Sequence, residues 1–154
     1  MKTPVTVSYR FYDLNIDPDQ IERLIGFEPG TAPDPIPELI GTALKSCAEL
    51  AEIKGTYLLT GQHTVDEKKS TIQVNKKNFR TGKLVTCYLS KSEQLVFFIM
   101  TAGKGIELES KKIMKESDPL LGYIYDVIGS LTAEITTEKT LRNIEENFLI
   151  NGFV

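Results

Sequence analysis

The stretch Asp118–Glu134, DPLLGYIYDVIGSLTAE, constrains the fold more than any other part of the chain. At about 100° per residue, Leu120, Ile124, Val127, Ile128, Leu131 and Ile135 fall on one stripe, the spacing of a helix that faces a core. Gly122, Asp126, Gly129 and Ala133 fall almost opposite. Glycine inside a helix costs roughly 1 kcal/mol relative to alanine, so two on one face imply a close neighbour: a strand, a second helix or a ligand. Gly129 is expected to lie against another backbone element. Asp126, a carboxylate among small residues, has to reach water, a cation or backbone donors.

The 154-residue sequence as a whole fits a single domain, 1–154, around one core. Its longest apolar run is far below the roughly 20 residues of a membrane span, and MKTPVTVSYRF lacks the apolar centre and cleavage site of a signal peptide. The expectation is a cytoplasmic protein with no membrane partner. Net charge is −3, with lysines and arginines dispersed among acids, which argues against nucleic acid as a partner. The densest basic run, Asp66 to Asn78, reads as a solvated hairpin. Cys47 and Cys87 form no CxxC pair and His63 is the only histidine, so no metal-site spacing exists. Both cysteines read as small core residues of a reducing compartment.

In chain order, residues 4–12 alternate apolar and polar as a half-buried strand does. Asp17-Pro18 and Gly26 bracket a short helix. A loop with four prolines, 27–37, leads into a helix over Pro35–Lys54, apolar at Ile36, Ile40, Ala43, Leu44 and Cys47 and stopped by Gly55. Thr56–Val65 reads as one strand with a bulge at Gly61, followed by short strands at Thr71–Val74 and Asn78–Phe79. Thr81–Ser90 returns to helical spacing. Gln94–Gly103 reads as a continuous apolar run of strand length, which predicts a central strand covered on both faces. A charged amphipathic helix, Ile106–Ser117, precedes the long helix, and Leu141, Ile144, Glu145 and Phe148 extend helical spacing toward the end. The pattern is α+β, with a mixed or antiparallel sheet and helices packed on it.

Chemistry-bearing motifs are sparse. Gly103-Lys104-Gly105 sits between a strand and a helix, as phosphate loops do. Position 108 is leucine, where a dinucleotide fingerprint has its third glycine, and Gly105-Ile106 departs from a P-loop. A plain strand-to-helix turn is expected. His63 has no GxSxG or similar context to make it part of a triad. Glu107, Glu109, Asp118, Asp126 and Glu134 are abundant carboxylates without a recognisable acid–base pairing, so no catalytic residue is assigned.

Three phrases carry a family resemblance. Ile21-Glu-Arg-Leu-Ile-Gly-Phe27 before a proline-rich loop and long helix, Leu95-Val-Phe-Phe-Ile-Met-Thr-Ala-Gly103, and Tyr125-Asp-Val-Ile-Gly-Ser-Leu-Thr-Ala-Glu134 together resemble the reactivation (activation) domain of vitamin B12-dependent methionine synthase. The likeness is nearest to small stand-alone homologues and covers roughly residues 16–147. It implies that family's α+β fold and a role in methionine biosynthesis as a component of a methyltransferase system. The family's domain binds S-adenosylmethionine and docks on a cobalamin-carrying domain while oxidised cob(II)alamin is reduced and remethylated. The resemblance therefore implies a corrinoid-binding protein as partner, with cobalamin reached only through it. Asp126 and Gly129 match an Asp-x-x-Gly-Ser type phrase, and Glu134 lies where the family has an acid close to S-adenosylmethionine.

The family continues into a segment with an arginine, a proline and a Gly-Tyr pair that supplies much of the S-adenosylmethionine contact. Here the sequence runs to Asn151-Gly-Phe-Val154, and Gly152-Phe153 has neither that proline nor the tyrosine hydroxyl. Weak or no binding of S-adenosylmethionine by this chain is expected. The alternatives are an interaction or scaffold domain that kept the fold without the ligand, and an unrelated enzyme using a pocket near Gly103.

Overall fold

The computed structural model describes residues 3–61, 63–116 and 118–150, the last three by backbone alone. Ser117 and the Asn151–Val154 end considered above lie outside the described residues, as does Gln62 within the expected strand. Six strands and five helices give an α+β fold. They divide into two compact units, residues 1–6 with 55–99 and residues 7–54 with 100–154.

The second unit is helical. A 3-10 turn at Phe11–Leu14 leads to α1 (Pro18–Leu24), whose start is held by a capping box: Asp17 accepts from Asp19 N–H, and the Gln20 side chain accepts from Asp17 N–H. The buried Glu22 carboxylate takes the Gly30 N–H at 2.5 Å, fastening the proline-rich loop to α1. Then come α2 (Ile36–Leu50), α4 (Lys104–Glu116) and α5 (Pro119–Ile150). Ile21, Ile40, Cys47, Ile106, Ile124 and Ile128 make up the centre of one core. Asp118 accepts from Leu121 N–H at 3.0 Å and so starts α5.

The glycines set how closely these helices approach. A Cβ on Gly122 would run into the Met114 side chain and lie 2.8 Å from Met114 N and 3.0 Å from Ser110 O. Ser110 Oγ donates to Gly122 O at 2.8 Å in the same buried contact. Gly129 meets only the Ile106 side chain, with Cγ2 at 3.2 Å, so the close backbone contact expected there is made one heptad earlier. Gly105 likewise abuts the Leu50 carbonyl. Gly103, at φ +91°, would place a Cβ 2.8 Å from Glu52 Cβ. Both glycines fit the start of α4 against the end of α2, which agrees with the plain-turn reading.

The first unit contains β3 (His63–Asp66), β4 (Thr71–Val74) and β5 (Lys77–Arg80), an antiparallel meander with Val65 opposite Ile72 and Ile72 opposite Phe79. The short helix α3 (Lys83–Leu89) follows it. Ile72, Val74 and Leu95 are buried together, with Val65, Leu89 and Phe97 beside them. A second sheet has the order β1-β2-β6, formed by β1 (Val5–Ser8), β2 (Lys54–Thr60) and β6 (Leu95–Thr101).

Several boundaries differ from expectation. β6 is an edge strand with Phe98 46% and Ile99 73% exposed, and β2 holds the centre. An apolar run reports affinity for burial but not strand order. The first strand stops at Ser8 because Arg10 to Asp13 close a turn through the Asp13 N–H to Arg10 O bond. α2 ends at Leu50, because Glu52 N–H bonds to Ala102 O and Ile53 O accepts from Tyr9 N–H. Gly61 separates β2 from β3, which belong to different sheets, rather than bulging one strand. Cys87 is exposed while Cys47 is buried, and both thiols are free.

Gly122→Ala is expected to lower stability by about 1–3 kcal/mol, since backbone atoms cannot yield to the new methyl. Gly129→Ala, facing a side chain, should stay within about 1 kcal/mol of the parent. Denaturant midpoints of the two variants check this, and equal costs would contradict the packing described.

Candidate functional site

The middle of α5 buries hydroxyls as well as hydrocarbon. Thr132, Thr136 and Thr140 recur every fourth residue and are buried. Their hydroxyls donate to the carbonyls of Ile128, Thr132 and Thr136 at 2.6–2.8 Å, so no hydroxyl is left unsatisfied. Thr140 Oγ1 also pairs with Tyr9 Oη at 2.8 Å. Next to it, Lys139 Nζ donates to Asp13 O at 2.9 Å and lies 5.8 Å from the centre of the Tyr9 ring. These bonds tie the 3-10 turn to α5.

Two clefts adjoin this tie, and Asp13, Asn15 and Lys139 line both. One, about 720 Å³, is bounded by Tyr9, Arg10 and Tyr12. The other, about 420 Å³, is bounded by Gln20, Glu138, Arg142, Asn143 and Glu146. Arg10 forks onto Asp13 with Nε–Oδ2 and Nη2–Oδ1 both 2.9 Å. The hydrogen bond raises the Arg10 pKa and lowers that of Asp13, so both are charged at neutral pH. Asn15 closes the turn in the left-handed region at φ 50°, a conformation asparagine tolerates. Arg142 pairs with Glu138 at 3.7 Å. The clefts are thus lined by mutually neutralised charges and amides, suited to hydrogen-bonding a polar surface.

The residues singled out from the sequence lie elsewhere on α5. Asp126 and Glu134 are exposed, and Gly129 is half-buried against Ile106. Asp126, Ser130, Glu134 and Glu138 follow one another at four-residue spacing and are all exposed, so Asp126 meets water. Only Glu134 approaches the clefts, one turn from Glu138. Eight residues put Asp126 and Glu134 about 12 Å apart along the axis. A site for S-adenosylmethionine needs an acid by the sulfonium, a donor cluster for the carboxylate and an apolar slot for the adenine. Two separated, solvent-facing acids and a glycine turned to a side chain do not fit that enclosure.

Among the described residues, no group of three or more His, Cys, Asp or Glu is placed to hold a metal. Cys47 is no nucleophile, because burial pushes its thiol from 9.0 up to about 12. Sequence reasoning missed Tyr9, Asp13 and Lys139. Asn15 before Asp17-Pro18 was the available signal, since it marks a turn rather than a strand continuing past Ser8.

Lys139→Met, which keeps most of the stem and drops the ammonium, is expected to cost about 1 kcal/mol in a denaturant titration. No change would show the tie to be incidental. At pH 8, thiol labelling of the native protein should modify Cys87 alone, with Cys47 reacting only after unfolding. The folded Cys47 holds its proton where the unfolded thiol loses it. Its contribution to stability is therefore full below pH 9 and is lost as pH rises toward about 12.

No protein-family model matches the chain, and no curated protein matches it.

Proposed function

We propose that this protein is an accessory module of a cobalamin-dependent methyl-transfer system of the methionine synthase type, docking on a corrinoid-binding protein. One observation carries the reading. The phrase Tyr125–Glu134 lies on a single helix, with Tyr125, Val127, Ile128 and Leu131 in the core and Asp126, Ser130 and Glu134 turned outward. A partner can therefore meet the outward stripe without disturbing the packing. The residues needed for chemistry on cobalamin belong to the partner in this reading, and the chain contributes a shaped polar surface.

The second reading, an interaction or scaffold domain without S-adenosylmethionine, draws support from the separation and exposure of Asp126 and Glu134. Titration with S-adenosylmethionine, followed by heat or melting temperature, is expected to show no saturable binding below the millimolar range. A micromolar dissociation constant abolished by Glu134→Gln would overturn this. Calorimetry against purified corrinoid proteins from the same cell tests the docking itself. Binding weakened about tenfold or more by Asp126→Lys with Glu134→Lys is expected, and no binding to any of them refutes the proposal.

A further inference from the structure

Against the even dispersal expected from the sequence, the chain's charge is segregated by unit. Residues 1–6 and 55–99 carry eight Lys or Arg against three acids, a formal +5, which leaves −8 on the other unit. Between Glu67 and Glu93 lie 25 residues with seven Lys or Arg and no acid. Lys69 pairs with Asp66 at 3.4 Å, whereas Arg80 and Lys83 have no ion-pair partner among the described residues. Thr81 N–H donates to Ser70 O at 3.1 Å, bringing the turn that carries Lys68 and Lys69 beside the corner of Arg80 and Lys83.

From that corner α3 projects with Leu89 packed toward Ile72 and Leu95 and most of its other apolar side chains turned outward. Its buried residue is Thr86, which bonds to Thr81 Oγ1 at 2.7 Å and Gly82 O at 2.6 Å. Leu84, Val85 and Tyr88 are 70%, 46% and 72% exposed. Apolar side chains clustered on a helix pinned this way remain in water unless another molecule covers them. An apolar centre with a charged rim is the anatomy of a protein interface.

We infer that α3 and the Arg80–Lys83 corner form a docking surface for an acidic patch on a partner protein. Leu84 and Tyr88 are its anchors, and the surrounding lysines and Arg80 supply charge complementarity. Two alternatives fit less well. Of the three exposed side chains only Tyr88 can stack on a base, and six of the seven cations are lysine rather than the arginine that reads base edges. An anionic bilayer would find in α3 an apolar face of only seven residues, about two turns, to hold it. This surface is distinct from the outward stripe of α5, and it stands or falls independently of the corrinoid reading.

The probe is a fluorescein-labelled acidic peptide with leucine and phenylalanine set among glutamates. Anisotropy should show saturable binding that weakens about tenfold on raising salt from about 50 to about 300 mM. R80E with K83E should weaken binding at least tenfold. Leu84→Ser with Tyr88→Ser should do the same without lowering the melting temperature, because both side chains are already exposed. Lys45→Glu, on the other unit, should change nothing. Absence of saturable binding, or parent-like binding by both double variants, overturns the proposal. So does tighter association with phosphatidylserine vesicles or with duplex DNA than with the peptide.

Discussion

The approach of α4 to α5 at Gly122 is the constraint on which the helical unit depends. With no Cβ there, Ser110 reaches the Gly122 carbonyl and Met114 closes over the helix. One heptad further along, Ile106 seats against Gly129 and reaches the central core. Packing at this distance leaves no room for another methyl, and interiors this dense respond to single carbon atoms. Gly105 makes a similar approach to Leu50, so the start of α4 is held against the end of α2 while its remaining turns lie along α5.

Given that arrangement, α5 has two sides with different duties. Its buried side begins in hydrocarbon, at Ile124, Val127 and Ile128, and continues into threonines whose hydroxyls are bonded within the helix. The change from isoleucine to threonine lets the helix leave the densest part of the core and meet the polar turn at Asp13 without stranding a donor. The other side carries Asp126, Ser130, Glu134 and Glu138 into water. A surface laid out along a rigid helix suits recognition of a macromolecule better than enclosure of a small one, which is why the functional reading rests on docking.

Much of this was legible because periodicity reports burial directly. The stripe through Ile124, Ile128 and Leu131, the capped start of α1, the short strand at Thr71–Val74 and the Asn78–Phe79 middle of the strand at Lys77–Arg80 follow from local pattern. Long-range facts were not legible. Leu95–Thr101 has the composition of a covered strand, yet the sheet order places β2 in the middle. In α3 Leu84, Val85 and Tyr88 of the apolar spacing are turned outward and Leu89 packs inward, because Thr81 and Gly82 capture Thr86. Glycines on one face announced a close neighbour but not which of them met backbone. The Tyr9–Thr140 and Asp13–Lys139 ties join residues more than 120 positions apart, beyond the reach of any local pattern.

Native-state hydrogen exchange tests the central claim most directly, since it reads the stability of each helix separately. If the Gly122 contact and the core beneath it organise the helical unit, amides from Ile124 to Thr136 should exchange slowest there, opening together with those of Ile106 to Ser110. Exchange of α5 faster than that of α1, or opening of α4 and α5 as independent segments, would contradict the account.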